Sequence, residues 1–164
     1  MKAFTSAVKR LTALALLIAL TISLLSCAKE RSALELMEQF AAMYGTEATV
    51  YSKEVSEGSA GYVGEDFYKT LFGLEEEQVR DYAVVFFSDT FTLSECALIL
   101  CKSEYGAGKV ALACTERLEL LSRTAALSGI RFPEGAFVKR YGEAVVMCAL
   151  ADGKLAERIF DKLL

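Results

Sequence analysis

Three short runs in this chain carry no polar residue inside them beyond a tyrosine: YAVVFF at 82–87, CALILC at 96–101 and AVVMCAL at 144–150. Each is shorter than an ordinary helix, and the mixture of β-branched, aromatic and aliphatic residues suits a strand. A strand with one wet face alternates apolar and polar residues. A strand without that alternation must be covered on both faces. The chain therefore needs a sheet with helices above and below it.

The rest of the sequence supplies those helices. Ser32 and Glu35 have the spacing of a capping box. Behind them Leu36, Phe40 and Met43 recur at helical spacing, with Met37 and Tyr44 on neighbouring rows and Gly45 as a stop. Thr49-Val50-Tyr51 reads as a short strand, 52–64 as a loop rich in serine and glycine, and 65–72 as a short helix closed by Gly73. Glu75-Glu76-Glu77 reads as a further helical turn. The turn-rich segment 88–94 lets 82–87 and 96–101 pair antiparallel. Tyr105-Gly106-Ala107-Gly108 reads as a turn, and a helix is expected from Lys109 to Leu127 with Val110, Cys114, Leu118, Leu121 and Ala125 on its apolar stripe and Arg117 at the edge. Residues 137–141 and 144–150 form a second hairpin through Gly142. Asp152-Gly153 then turns the chain into a final helix lined by Leu155, Ile159, Phe160 and Leu163.

The expected fold class is thus α+β: an antiparallel sheet of about four strands in β-β-α-β-β-α order, preceded by an N-terminal helix. Two hairpins lie side by side, both later helices lie on one face, and the N-terminal helix covers the other.

Ahead of this domain, Lys2, Lys9 and Arg10 lead a stretch without charge that ends in Leu24-Leu25-Ser26-Cys27. That layout is a secretory signal closing in what looks like a bacterial lipobox, in which Cys27 is acylated and becomes the first residue. The organisation expected is a lipoprotein signal peptide over 1–26, a short tether over 27–31 and a single domain over 32–164. A retained membrane helix is the competing reading, since 11–28 approaches the length of about 20 residues that spans a bilayer. The signal holds three of the 18 basic residues and none of the 22 acids, so the mature chain carries −7. Such a balance argues against a nucleic-acid partner and against electrostatic attachment to anionic lipid. The expected partners are the membrane, through the lipid, and another envelope protein. The expected location is the outer face of the cell membrane.

The stretches LFGLEEEQVRDYAVVFF at 71–87, SECALILCK at 94–102 and FVKRYGEAVVMCAL at 137–150, with Arg117 on the helix between them and the lipobox ahead, resemble a family of small lipoproteins of Gram-positive gut bacteria known as domain of unknown function 4358. The resemblance spans roughly residues 33 to 164. It implies no activity or ligand, so no functional residue is carried over.

No arrangement in the sequence announces catalysis. The chain has no histidine, the commonest general base. Cys101 beside Lys102 sits on a strand, where neighbours face opposite ways. Glu75, Glu76, Glu77 and Asp81 lack the spacing of a calcium loop, and Tyr105-Gly106-Ala107-Gly108-Lys109 lacks that of a phosphate cradle. No metal or cofactor is expected. Cys96, Cys101, Cys114 and Cys148 allow three pairings. Each lies in an apolar run, which favours burial as a small hydrophobe without a bridge, with one disulfide as the alternative.

What remains is surface. Tyr51, Tyr62, Phe67, Tyr68 and Phe91 are candidates either for an interface, where rigid aromatic rings are favoured, or for minor core. The segment 52–68 is long and rich in glycine and tyrosine, and reads as a binding loop or as a linker. The expected function is a non-catalytic protein-binding or adaptor module. The alternative is a lipoprotein that holds a small molecule or peptide for a transporter.

Overall fold

The computed structural model describes residues 30–45, 48–87 and 92–164, and its folded unit spans Ser32–Leu164. Among the described residues there are four helices and five strands. In chain order these are α1 (Ala33–Tyr44), β1 (Val50–Tyr51), α2 (Phe67–Phe72), β2 (Val79–Phe87), β3 (Ser94–Cys101), α3 (Glu104–Ser128), β4 (Phe137–Tyr141), β5 (Ala144–Ala149) and α4 (Gly153–Leu163). The protein is α+β, with one antiparallel sheet in the order β1-β2-β3-β5-β4. Both expected hairpins form, and they join through β3 and β5. Within the expected Thr49-Val50-Tyr51, Val50–Tyr51 supplies a fifth strand at the edge.

Side chains alternate across the sheet and build two cores. On one face Ala83, Val85, Cys96, Leu98, Leu100, Val146 and Cys148 meet Leu36, Met37 and Phe40 of α1 and Ile159, Phe160 and Leu163 of α4. On the other, Val84, Ala97, Ile99, Cys101, Val145 and Met147 meet Val110 and Cys114 of α3 and Tyr68 and Phe72 of α2. The three apolar runs are therefore buried on both sides, as their lack of alternation requires.

The placement of the final helix corrects the sequence expectation. It lies with the N-terminal helix, opposite α3. Helix length explains the difference. At about 1.5 Å per residue, α3 with its 25 residues runs most of the way across the sheet, and only the short α2 is needed beside it. Helix α1 has only 12 residues, about half the length of α3, and covers correspondingly less of the opposite face. The apolar stripe of α4 fills that gap, and Phe40 stacks on Phe160 with centroids 4.4 Å apart and planes 15° off parallel.

The ends of α1 are fixed from outside as well as from within. The capping box forms, with Ser32 Oγ accepting from the Glu35 N–H and Glu35 accepting from the Ser32 N–H. Asp81, buried at the end of β2, accepts from the Ala33 N–H at 2.7 Å and the Tyr82 N–H at 2.8 Å. A carboxylate at a helix start satisfies orphan donors and suits the dipole. Met43 is exposed rather than part of the stripe, which instead runs through Met37 to the half-buried Tyr44.

Two boundaries also differ. Helix α3 begins at Glu104, because Ser103 caps it by accepting from the Gly106 N–H at 3.1 Å, so Tyr105-Gly106-Ala107-Gly108 is its first turn. Residues 75–78 form a turn closed by the Gln78 side chain, not a helical start, and β2 begins at Val79. The β2–β3 register slips at Arg80, a bulge that frees this residue from the alternation. One buried ion pair ties α3 to the sheet: Arg117 grips Glu95 with Nε–Oε1 at 3.3 Å and Nη2–Oε2 at 2.7 Å.

Candidate contact surface around residues 52–68

The segment 52–68 is a pinned loop, not a linker. Ser52 is fully buried, its N–H donates to the Gly61 carbonyl at 3.0 Å, and its hydroxyl accepts from the Glu54 N–H at 3.2 Å. Ser52 and Tyr62 form a parallel bridge. Gly61 has φ +92°, and a Cβ there would collide with the Val50 carbonyl oxygen. The loop thus lies directly on β1 and covers the sheet edge that would otherwise offer unpaired backbone groups.

The four candidate aromatics separate on this frame. Tyr62 is 40% exposed and presents a ring to solvent. Tyr51 is half-buried, edge-on to Phe86 at 5.4 Å. Phe67 is half-buried between Tyr82 and Phe86. Tyr68 is buried in the α3-side core, packed edge-on to Tyr82 at 5.3 Å, and reaches the surface only as part of a cleft lining. Helical spacing in α2 turns it inward. Phe91 and Cys27 lie outside the described residues.

Two concavities flank the loop. The first is a polar cleft of about 120 Å³ between the loop, the bulged start of β2 and Lys102. Lys53, Arg80 and Lys102 line it together with Glu65, Asp66 and Glu76, and the buried Tyr68 and Tyr82 form the floor. Burial raises both tyrosine hydroxyls, and Tyr82 donates to the Gly64 carbonyl at 2.8 Å. The floor is therefore neutral and the rim carries the charge. The second is an open groove of about 450 Å³ lined by Glu38, Ala41, Ala42, Ala48, Thr49, Val50, Val55 and Ala60, mostly small and apolar. Arg80 was not legible as a site residue, since only the bulge turns it to the cleft. Lys53, Glu76 and Lys102 come from three separate segments and share no sequence pattern.

Cys101 is buried, and burial pushes its thiol up to about 11 and that of Cys114 to about 12, the opposite of an activated nucleophile. Among the described residues no three cysteine, aspartate or glutamate side chains converge on a point that could hold a metal ion, and no helix is long and apolar enough to cross a membrane.

No protein-family model matches this chain, no curated protein matches it, and no solved structure matches it.

Proposed function

We propose that this protein is a lipid-anchored module on the outer face of the cell membrane that binds another envelope protein through the face formed by residues 52–68 and the two concavities beside them. The anchor half of the reading rests on the charged lead, the apolar run and Cys27, together with the resemblance to the lipoprotein family. The binding half rests on one observation. A loop fastened to the sheet edge by Ser52 and Gly61 exposes Tyr62, and the same segment contributes Lys53, Glu65 and Asp66 to a cleft lined by three cations and three acids. A rigid loop with a projecting ring and mixed charge suits protein contact, because little ordering entropy is lost on binding. The polar cleft is smaller than the roughly 300–1,000 Å³ of most small-molecule sites, and the groove of about 450 Å³ falls in that range but is open to solvent rather than enclosed, which favours the adaptor over a solute-binding lipoprotein.

Two experiments test the halves separately. Cys27→Ala should abolish palmitate labelling and leave an uncut precursor; unchanged processing and labelling would refute the anchor. A photo-crosslinking residue at position 62 in intact cells should give a discrete adduct that is lost when Lys53→Glu and Lys102→Glu are combined with it. The same probe at Leu127, the most exposed leucine of α3, should give none. Identical adducts at 62 and 127, or none at 62, would refute the binding face.

A further inference from the structure

Cys96 on β3 and Cys148 on β5 are direct cross-strand partners, both fully buried on the α1–α4 face. Their pairing type follows from the neighbouring hairpin. Tyr141 and Ala144 flank the two-residue turn Gly142-Glu143, so they form a hydrogen-bonded pair, and Lys139–Val146 and Phe137–Cys148 repeat it. Ala144, Val146 and Cys148 therefore aim their backbone groups at β4. Toward β3 the same residues form non-hydrogen-bonded pairs. The Cys101 N–H donating to the Glu143 carbonyl at 2.8 Å, one step along, agrees with this alternation. In such a pair the Cα atoms stand about 4.5 Å apart with the side chains drawn together, and a disulfide spans Cα separations of roughly 4.4–6.8 Å. Burial first, and then the neighbouring Cys148 thiol, raise the Cys96 thiol, as expected of two thiols held close together.

We infer that Cys96 and Cys148 are a disulfide site, filled when the chain folds in an oxidising medium. The other two cysteines are not an equivalent pair. Cys101 is on the sheet and Cys114 on the helix packed over it. With a packing distance of about 10 Å between layers and a Cα radius of about 2.3 Å in the helix, their Cα atoms stay beyond bridging range.

Access decides when the bond forms. Both thiols are closed to solvent, and burial raises Cys96 well above an ordinary thiol. Tyr44 sits beside both at the last turn of α1; burial raises its hydroxyl, a hydrogen bond from the Asp152 backbone opposes the rise, and Cys148 and Cys96 add to it. The native sheet is therefore sealed, and oxidation belongs to the interval before α1 and α4 dock. With glutathione disulfide as oxidant, one cysteine thiolate attacks a glutathione sulfur and releases one glutathione thiolate. The second cysteine thiolate then attacks the protein sulfur of that mixed disulfide and releases the other. Two protons and two electrons leave the protein, and one glutathione disulfide becomes two glutathione molecules.

The test uses the full chain, unfolded and refolded in a glutathione–glutathione disulfide buffer, then acid-quenched, alkylated and digested with trypsin. Residues 81–102 should emerge joined to 141–154. The joined species should persist in Cys101→Ala and vanish in both Cys96→Ala and Cys148→Ala. The oxidised chain should melt higher than the reduced one by on the order of 10 °C, as expected for a bridge closing a loop of this length. A second arm alkylates the protein directly in acid-quenched cells and reads the same peptides. If both cysteines carry the alkyl label after refolding in the oxidising buffer, or if 110–117 takes the bridge instead, the inference is overturned. The refolding arm needs no envelope location, so its failure is distinct from a failure of the anchor reading.

Discussion

Arg117→Ala should be among the most damaging substitutions on the surface-facing half of this protein. Glu95 is 3% exposed, and its two carboxylate oxygens are held by the Arg117 guanidinium, itself mostly covered by the sheet. Removing the arginine leaves a buried carboxylate with no counter-charge, a change that costs about 3–5 kcal/mol in comparable sites. A domain of this size has roughly 5–15 kcal/mol in total. At about 3–5 °C per kcal/mol for a chain of this length, the melting temperature should fall by about 10–20 °C. Lysine cannot reproduce the fork, so Arg117→Lys should recover only part of the loss. The decisive arm is the double replacement Glu95→Met with Arg117→Met. It removes both charges at similar volume and should lie close to the wild type, because the net worth of a buried pair is small even where breaking it is costly. Urea unfolding followed by far-ultraviolet circular dichroism measures all four proteins, the chain having no tryptophan. If Arg117→Ala costs less than about 1 kcal/mol, or if the double variant is no better than the single, the pair does not act as described.

Phe160→Ala should cost about 3–5 kcal/mol by emptying the stack on Phe40, and denaturant midpoints would show it. Gly153→Ala should destabilise far more than Gly108→Ala in the same assay: a Cβ at 153 strikes the Gly135 carbonyl, while one at 108 meets only the flexible Arg140 at 3.8 Å. Stability should decline as pH rises above about 9, the range where unfolded cysteines ionise. The folded thiols of Cys101 and Cys114 hold their protons to about 11 and about 12, so the unfolded state loses protons first. Urea midpoints from pH 7 to 11 measure this, and Cys114→Ala should flatten the decline. At the acid end, the lowered Asp161, held by Lys139 and then Tyr141, should give a small loss as pH drops below the ordinary carboxylate range, absent in Asp161→Asn.

The sheet could be anticipated because the physics is local: 82–87, 96–101 and 144–150 lack polar alternates, and nothing but a doubly covered strand accommodates that. Ser32 and Glu35 gave the start of α1 for the same reason, since a capping box is complete within four residues. Distance in sequence hid the rest. The side of the sheet taken by the last helix depends on how much of each face α1 and α3 leave open, which no single segment encodes. The start of α3 was obscured by Gly106 and Gly108, which read as a turn. Gly106 sits in the first turn of the helix, where a Cβ would meet the capping Ser103 Oγ at 3.3 Å and the Gln78 backbone only at ordinary contact distance. The cleft assembles Lys53, Arg80 and Lys102 from three segments, one through a bulge with no sequence signature. Tyr68 was legible as aromatic but not as inward, because six residues of α2 are too few to define a face.

The contact between α1 and α4 gives the domain an order of completion. The first helix of the folded unit finds its partner helix only when α4 has been made, so until then the ring of Phe40 has Tyr44 of its own helix but lacks its stack on Phe160. Pairings this remote in sequence slow folding and leave sticky intermediates in the meantime. A chain cut short before Gly153 would keep every strand of its sheet and still lack Ile159, Phe160 and Leu163 from this core. Such a product should be captured by holdases or proteases, so the docking of α4 is itself a checkpoint on which copies survive.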